Sequence, residues 1–465
     1  MIQTIAPQSL GGWLREADRC VNTWEARWGA YETHPSLRVE HETLSAAYET
    51  YVNRLAANYP FFHPRYAGQM LKPPHPVAIL GYLTAMRINP NNHALDGGPP
   101  TAAMEKEAVA ELARMFEFPE DALGHLTSSG TIANLEALFV SREQHPGKAV
   151  AVSREAHYTH ARMGHVLGMP VQSVAADTYG RMDLDALEEL LRSQMIGTVV
   201  LTAGTTGQGA VDPIAEAVTL CRRYGVRIHV DAAYGGFFRL LSKTGMLPPE
   251  VGRNLDAIKE ADSVVLDPHK HGLQPYGCGC ILYSDPTMAR HYLHDSPYTY
   301  FTSDDLHLGE ISLECSRAGA AAGALWLTLQ LLPLSAEEGL GPILSACREA
   351  AQRWHVALED TPLISWGKPD LDIVCYFPRV KPSSASGIDR ASQALFERAM
   401  APSSNPVFLS VLRTRSEDIL ARMPDLSVDQ DSARILRSVL MRPEQAVHAE
   451  SLVDRLVTLV QADAG

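Results

Sequence analysis

The chain lacks any run of basic residues: its 40 Lys and Arg are scattered among 54 Asp and Glu, and the formal charge is −14. That balance argues against nucleic acid and anionic membrane surfaces as partners. Also missing is an apolar stretch of membrane-spanning length. The longest, AGAAAGALWLTLQLLPL at 318–334, is broken by Gln330 and Pro333 and reads as a buried helix. The opening MIQTIAPQSLGGWLREADRC does not show the basic-then-apolar pattern of a secretory signal. Cysteine is sparse, seven residues without a regular framework, which predicts reduced thiols and a cytoplasmic protein. Cys278 and Cys280 form a C-x-C that no second pair completes, so no metal site is expected. No G-x-G-x-x-G opens the first βα unit, which argues against a dinucleotide-binding oxidoreductase.

What is present suits a globular enzyme: 465 residues, 46% hydrophobic and 20% charged, enough for two or three packed layers. Residues 1–72 mix helical patterns such as LSAAYETYVNRLAANY with PFFHPRY and read as an N-terminal helical arm too thin to fold alone. From 73 to 335, short apolar runs (KAVAVSR, PVQSVAA, GTVVLTAG, VRIHVDAA, SVVLDPH, CGCILYS) follow one another, and helical patterns separate the earlier ones. TAAMEKEAVAELARMFEF is one such helix, and HLTSSGTIANLEALFVSRE runs from a turn into another. This alternation predicts an α/β fold whose large domain holds a mostly parallel sheet. Residues 336–465 change texture and read as a small C-terminal α+β domain.

Five segments place reactive side chains at strand ends, where open α/β sheets bind ligands. Lys270, in LDPHKHG, is an amine able to form a Schiff base when partly desolvated, although a lone strand-end Lys is more often a surface cation. Asp231, in HVDAAYGG, is a carboxylate after a buried strand, where it needs a cation; a pyridinium nitrogen is one, and a helix-capping role is the plainer alternative. Ser128, Ser129, Gly130 and Thr131 lead into a helix whose N-terminus suits a phosphate, or is an ordinary cap. His157, in EAHYTHARMGH, offers a flat ring for stacking; His160 and His165 have weaker claims. Thr205 and Thr206 stand among glycines in TAGTTGQGA.

Taken together these segments resemble the group II decarboxylases that act on amino acids with pyridoxal 5'-phosphate (PLP), from HPRY at 63 to LRSVLMRP ending at 443. The resemblance implies the PLP-dependent transferase fold type I and a cytoplasmic homodimer with sites at the interface. It implies that Lys270 carries PLP, that Asp231 pairs with the pyridine nitrogen, and that His157 and Ala233 flank the ring. Ser129, Gly130 and Thr131 would bind phosphate, Thr206 would lie near the 3-hydroxyl, and His269 would touch PLP or substrate. Tyr298 or Tyr300 would return a proton to the substrate, while His63, His93 and Arg317 are the substrate-contact candidates, Arg317 being as readily a structural ion pair. Asp267 replaces the Asn usual before Pro-His-Lys and looks more like the bacterial and archaeal tyrosine/aspartate branch. The expected reaction is α-decarboxylation to an amine and CO2. Alternatives are a decarboxylating aldehyde synthase, a carbon–carbon lyase, or a catalytically silent scaffold.

Overall fold

The computed structural model describes residues 10–293, 306–402 and 405–461. Helices α1 (Leu10–Glu25) and α2 (His41–Leu55) form the arm, and α3 (Pro76–Met86) and α4 (Pro99–Met115) lead into the body. There β1 (Leu123–Thr127), α5 (Gly130–Gln144), β2 (Ala149–Ser153), α6 (Thr159–Leu167), β3 (Val171–Val174) and α7 (Leu184–Arg192) follow in order. Next come β4 (Ile196–Thr202), α8 (Ile214–Tyr224), β5 (Arg227–Asp231), α9 (Pro249–Asp256), β6 (Ser263–Leu266), β7 (Gly279–Tyr283) and α10 (Gly319–Leu331).

These strands form one seven-stranded sheet in the order β1-β7-β6-β5-β4-β2-β3. Pairing is parallel from β3 through β6, and β7 runs antiparallel to both β6 and β1. Six strands therefore share a direction and β7 opposes them. Helices cover the sheet, which is why β4, IGTVVLT, is buried at every position and needs no polar alternation. α7 shows the complementary pattern: LDALEELLR buries Leu187 and Leu191 and starts at Asp183, whose carboxylate accepts from the Asp185 and Ala186 amides. The apolar run near 320 is α10, packed on α3 and α4. Contact with α3 is close at Gly81, where a Cβ would lie 3.0 Å from the Ala324 Cα.

A second sheet, antiparallel in the order β10-β11-β9-β8, is built from β8 (Leu363–Ser365), β9 (Ile373–Pro378), β10 (Ser410–Arg415) and β11 (Ser432–Val439). It packs with α11 (Leu340–Ala357), α12 (Ala385–Met400), α13 (Ser416–Leu420) and α14 (Ala449–Gln461). The architecture is thus the expected α/β body with a smaller α+β part. One hydrophobic core runs through both sheets, joining Val199 and Leu201 of β4 to Ile373, Cys375 and Phe377 of β9.

Two strands escape the sequence pattern. β1, LGHLT, carries a Gly and a His, yet His125 is fully buried with its Nε2 2.8 Å from Glu136 of α5. A polar strand residue paired with a carboxylate inside the fold leaves no apolar signal. β8 is three residues long, too short for periodicity to register.

Candidate active site

The carboxyl ends of β1, β2, β4, β5 and β6 meet at one cavity of about 270 Å³, near the lower end of ligand-pocket sizes. Its walls bring together Ser129, Gly130 and Thr131 from the start of α5, His157 before α6, Thr206 after β4, Asp231 and Ala233 after β5, and His269 and Lys270 after β6. Residues without a strand-end signature of their own line it as well. Asn134 sits one turn along α5 from Gly130, and Tyr234 and Asp267 flank the two most informative motifs.

Lys270 Nζ lies 3.0 Å from Asp267 Oδ2, and both side chains are largely withdrawn from solvent. The other Asp267 oxygen, Oδ1, is buried without a hydrogen-bond partner among the described residues and stands against the first turn of α5. A Cβ on Gly130 would lie 2.6 Å from that carboxylate, so glycine keeps the approach to the helix N-terminus open. Ser129 caps α5, its Oγ accepting from the Ile132 amide.

Asp231, at the end of the neighbouring strand β5, is buried in the cavity wall. Its Oδ1 accepts from the Ala233 amide at 3.2 Å and its Oδ2 from His160 Nε2 at 2.9 Å. Burial alone pushes its carboxyl up, but the His160 hydrogen bond and the neighbouring His160 and Lys270 hold it below the usual carboxylate range. His157 is pushed the other way: burial, with Lys270 beside it, lowers its imidazole from 6.5 and outweighs the pull of Asp231. Its Nδ1 accepts from the Thr159 amide at 3.3 Å, which fixes the ring as a neutral face on the cavity. His269 donates from Nδ1 to the Cys278 carbonyl at 2.8 Å, leaving Nε2 3.6 Å from Asp267.

The floor is tied to the second sheet. Tyr234 donates its hydroxyl to Asp372 at 2.6 Å, and His271, next to Lys270, lies 3.2 Å from the same carboxylate.

Three substrate-contact candidates do not line this cavity. Arg317 is held elsewhere: its guanidinium donates to Glu105 at 2.7 Å, to the Leu126 carbonyl at 2.8 Å and to the Asn92 carbonyl at 3.0 Å. Its charge is neutralised inside the fold, so the structural ion pair is the role observed. His63 faces a separate depression with Arg65, His448 and Arg455. His93 packs beside Gly309, whose amide donates to the His93 carbonyl at 2.8 Å. Tyr298 and Tyr300 lie outside the described residues. His160, which had the weaker claim beside His157 in sequence, is bonded to Asp231 from behind the wall. Its three-residue spacing from His157 is the signal that would have found it.

The residues fit PLP on three counts. A buried carboxylate free of Lys or Arg hydrogen bonds suits a protonated ring nitrogen, a glycine-opened helix N-terminus suits a phosphate, and a half-buried Lys stands beside both. A mostly parallel sheet gathering these groups at its strand ends defines a fold type I PLP enzyme. The model of the pyridoxal-dependent decarboxylase conserved domain matches residues 42–375. The chain belongs to that family, as a PLP-dependent amino-acid decarboxylase and hence a carboxy-lyase.

Relatives support this placement. An L-tyrosine decarboxylase of Enterococcus faecium is 29% identical, with 72% of each chain covered. An L-2,4-diaminobutyrate decarboxylase of Rhizobium meliloti is 30% identical over 79% of this chain and 78% of its own. The solved structure of mouse CSAD superposes with a TM-score of 0.76 at 21% identity, covering 97% of this chain and 99% of that one, and so shares the fold. Among the described residues no helix is long and apolar enough to cross a membrane.

Proposed function

We propose that the protein removes the α-carboxylate of an L-amino acid at the Lys270 cavity, releasing an amine and CO2. The observation that carries this is the convergence of Lys270, Asp231 and the start of α5 on a single cavity. Bound there, PLP supplies the electron sink that accepts the electron pair left behind by the departing CO2.

The protein's own groups prepare that chemistry. Lys270 presents the amine that carries the cofactor, steered by Asp267 3.0 Å away. Asp231 holds a proton at the ring nitrogen, and its lowered proton affinity keeps it an anion able to do so. Backbone amides of Gly130 and Thr131, with the Ser129 hydroxyl, receive the phosphate at the positive end of α5. His157, with its neutral imidazole, and Ala233, with its methyl group, would line the space for the ring, with Thr206 and His269 in the same cavity wall. One of Tyr298 and Tyr300 delivers the proton to the α-carbon. The charge of Arg317 is met by Glu105, and we assign it no substrate contact. His63 and His93 reach substrate only if a partner subunit presents them.

A homodimer with sites at the interface suits the arm, whose α1 and α2 leave Trp13, Trp24, Leu44, Tyr48 and Tyr51 exposed. The cytoplasm suits seven free cysteines, five of them buried. For the substrate, L-tyrosine and L-2,4-diaminobutyrate are the first to test, because relatives carry those names.

The test is CO2 and amine release by the PLP-loaded protein from a panel of L-amino acids, repeated with Lys270→Ala. Release by the wild type and none by the variant is expected. Full turnover by Lys270→Ala would overturn the proposal, and ammonia with peroxide in place of amine would reassign the enzyme as an aldehyde synthase.

A further inference from the structure

A carboxylate that receives a ring nitrogen must be held in one orientation, because rotation about its side-chain bonds turns the accepting lone pair away from the ligand. Asp231 has two donors for this purpose. The Ala233 amide comes from its own loop, and the second, His160 Nε2 at 2.9 Å, comes from α6. His160 is fully buried and absent from the cavity wall, so it touches Asp231 without meeting anything bound in the cavity. An ionised carboxylate only accepts hydrogen bonds, so Nε2 is the donor. The remaining ring nitrogen, Nδ1, is buried with no hydrogen-bond partner among the described residues, so the one hydrogen bond that anchors the imidazole there is the one to Asp231.

We propose that His160 is a positioning residue for the cofactor: from α6 it locks the Asp231 carboxylate in the orientation that receives the pyridine nitrogen. The inference rests on the cavity being the PLP site. Two donors on separate elements over-determine the carboxylate, and removing the α6 donor leaves Oδ2 buried and unsatisfied, a strain relieved by rotation or by taking up a proton. Either response weakens the contact with the ring. The titratable groups around Asp231 are His160 of α6, His229 of β5, His157 and Lys270, and the last three are unchanged by substitution at 160.

The experiment compares wild type, His160→Phe and His160→Gln in three measurements: PLP dissociation constant, the pH titration of the bound cofactor's visible absorption, and thermal unfolding without cofactor. Phe keeps a flat ring and loses the donor, whereas the Gln amide nitrogen stands close to where Nε2 was. His160→Phe is expected to weaken PLP binding roughly tenfold or more, the factor expected for a lost hydrogen bond to a charged group, and to move the absorption midpoint. His160→Gln is expected to restore most of both, with its cofactor-free melting temperature close to that of the wild type. Unchanged PLP affinity and absorption in His160→Phe would overturn the inference. So would losses in both variants that simply track their melting temperatures, the mark of a purely structural histidine. A wild type that takes up no PLP would instead remove the underlying site assignment.

Discussion

His229 is fully buried in β5, between the Ser263 hydroxyl at 2.9 Å and the Asn134 amide oxygen at 3.0 Å. Burial pushes its imidazole down from 6.5 to about 3. Burial is also the leading cause that lowers His157, His271 and His75. A base with a lowered folded value binds protons more readily once unfolded, so its stabilising contribution is present above the unfolded value and lost as pH falls towards the folded one. For His229 that window runs from 6.5 down to about 3. The lowered carboxylates Asp231 and Asp372 add their own losses only below about pH 4. Burial raises the carboxyls of Asp212, to about 7, and Glu111, which offsets part of this loss. The lowered histidines outnumber them, so the melting temperature of the cofactor-free protein is expected to fall between pH 6.5 and about 4, which a calorimetric pH series would read. His229→Gln should flatten part of that slope while lowering the midpoint at neutral pH. At this scale Lys270, Asp231 and His157 were legible because each follows an apolar run at a strand end. His160 and Asn134 were not, because what places them is helical spacing on α6 and α5 facing a strand distant in sequence.

Between elements, the junction of α4, β1 and α10 depends on Arg317. It stands just before α10 and reaches Glu105 of α4, the Leu126 carbonyl of β1 and the Asn92 carbonyl. Glu105 in turn accepts from the Leu126 amide at 2.9 Å and from Asn92. Removing one member of a buried pair leaves an uncompensated charge, so Arg317→Ala is expected to cost about 3–5 kcal/mol in urea unfolding. Unaltered stability combined with a raised KM would return Arg317 to substrate contact. The sequence shows an Arg in a Ser-Arg-Ala-Gly context and nothing about its acidic partner, 212 residues earlier. Helices such as α7 and α8 and strands such as β4 were legible because their periodicity or unbroken apolar character reflects their surroundings directly. β1 was not, because its buried polar residue faces a carboxylate from a different element.

At the scale of the whole molecule, the arm is the part least accounted for by a single chain. α2 has no buried residue, α1 buries only Val21, and Trp28 and Tyr31 between them are 79% and 87% exposed. Several large exposed aromatics on one short arm mark a surface that stable proteins usually cover with another. Sedimentation of the full chain is expected to give a dimer. A chain beginning at residue 57, just after α2, should sediment as a monomer and lose activity, and a full-length monomer active at low concentration would contradict the expectation. Nothing in the sequence alone showed what the arm packs on, since an amphipathic helix carries the same pattern whichever surface covers it.

The core that runs from β4 to β9, together with the Tyr234 hydrogen bond to Asp372 and the His271 contact with the same carboxylate, joins the floor of the cavity to the second sheet. The smaller sheet is therefore no detachable module. Cutting it away would remove Leu371 from beside Gly204, just after β4, and leave Tyr234 without its acceptor, so exchanging this part between related enzymes means rebuilding the cavity floor as well. A change of volume at Ile373, which packs against Gly209, or at Phe377 is therefore taken up within the same apolar core as one at Leu201.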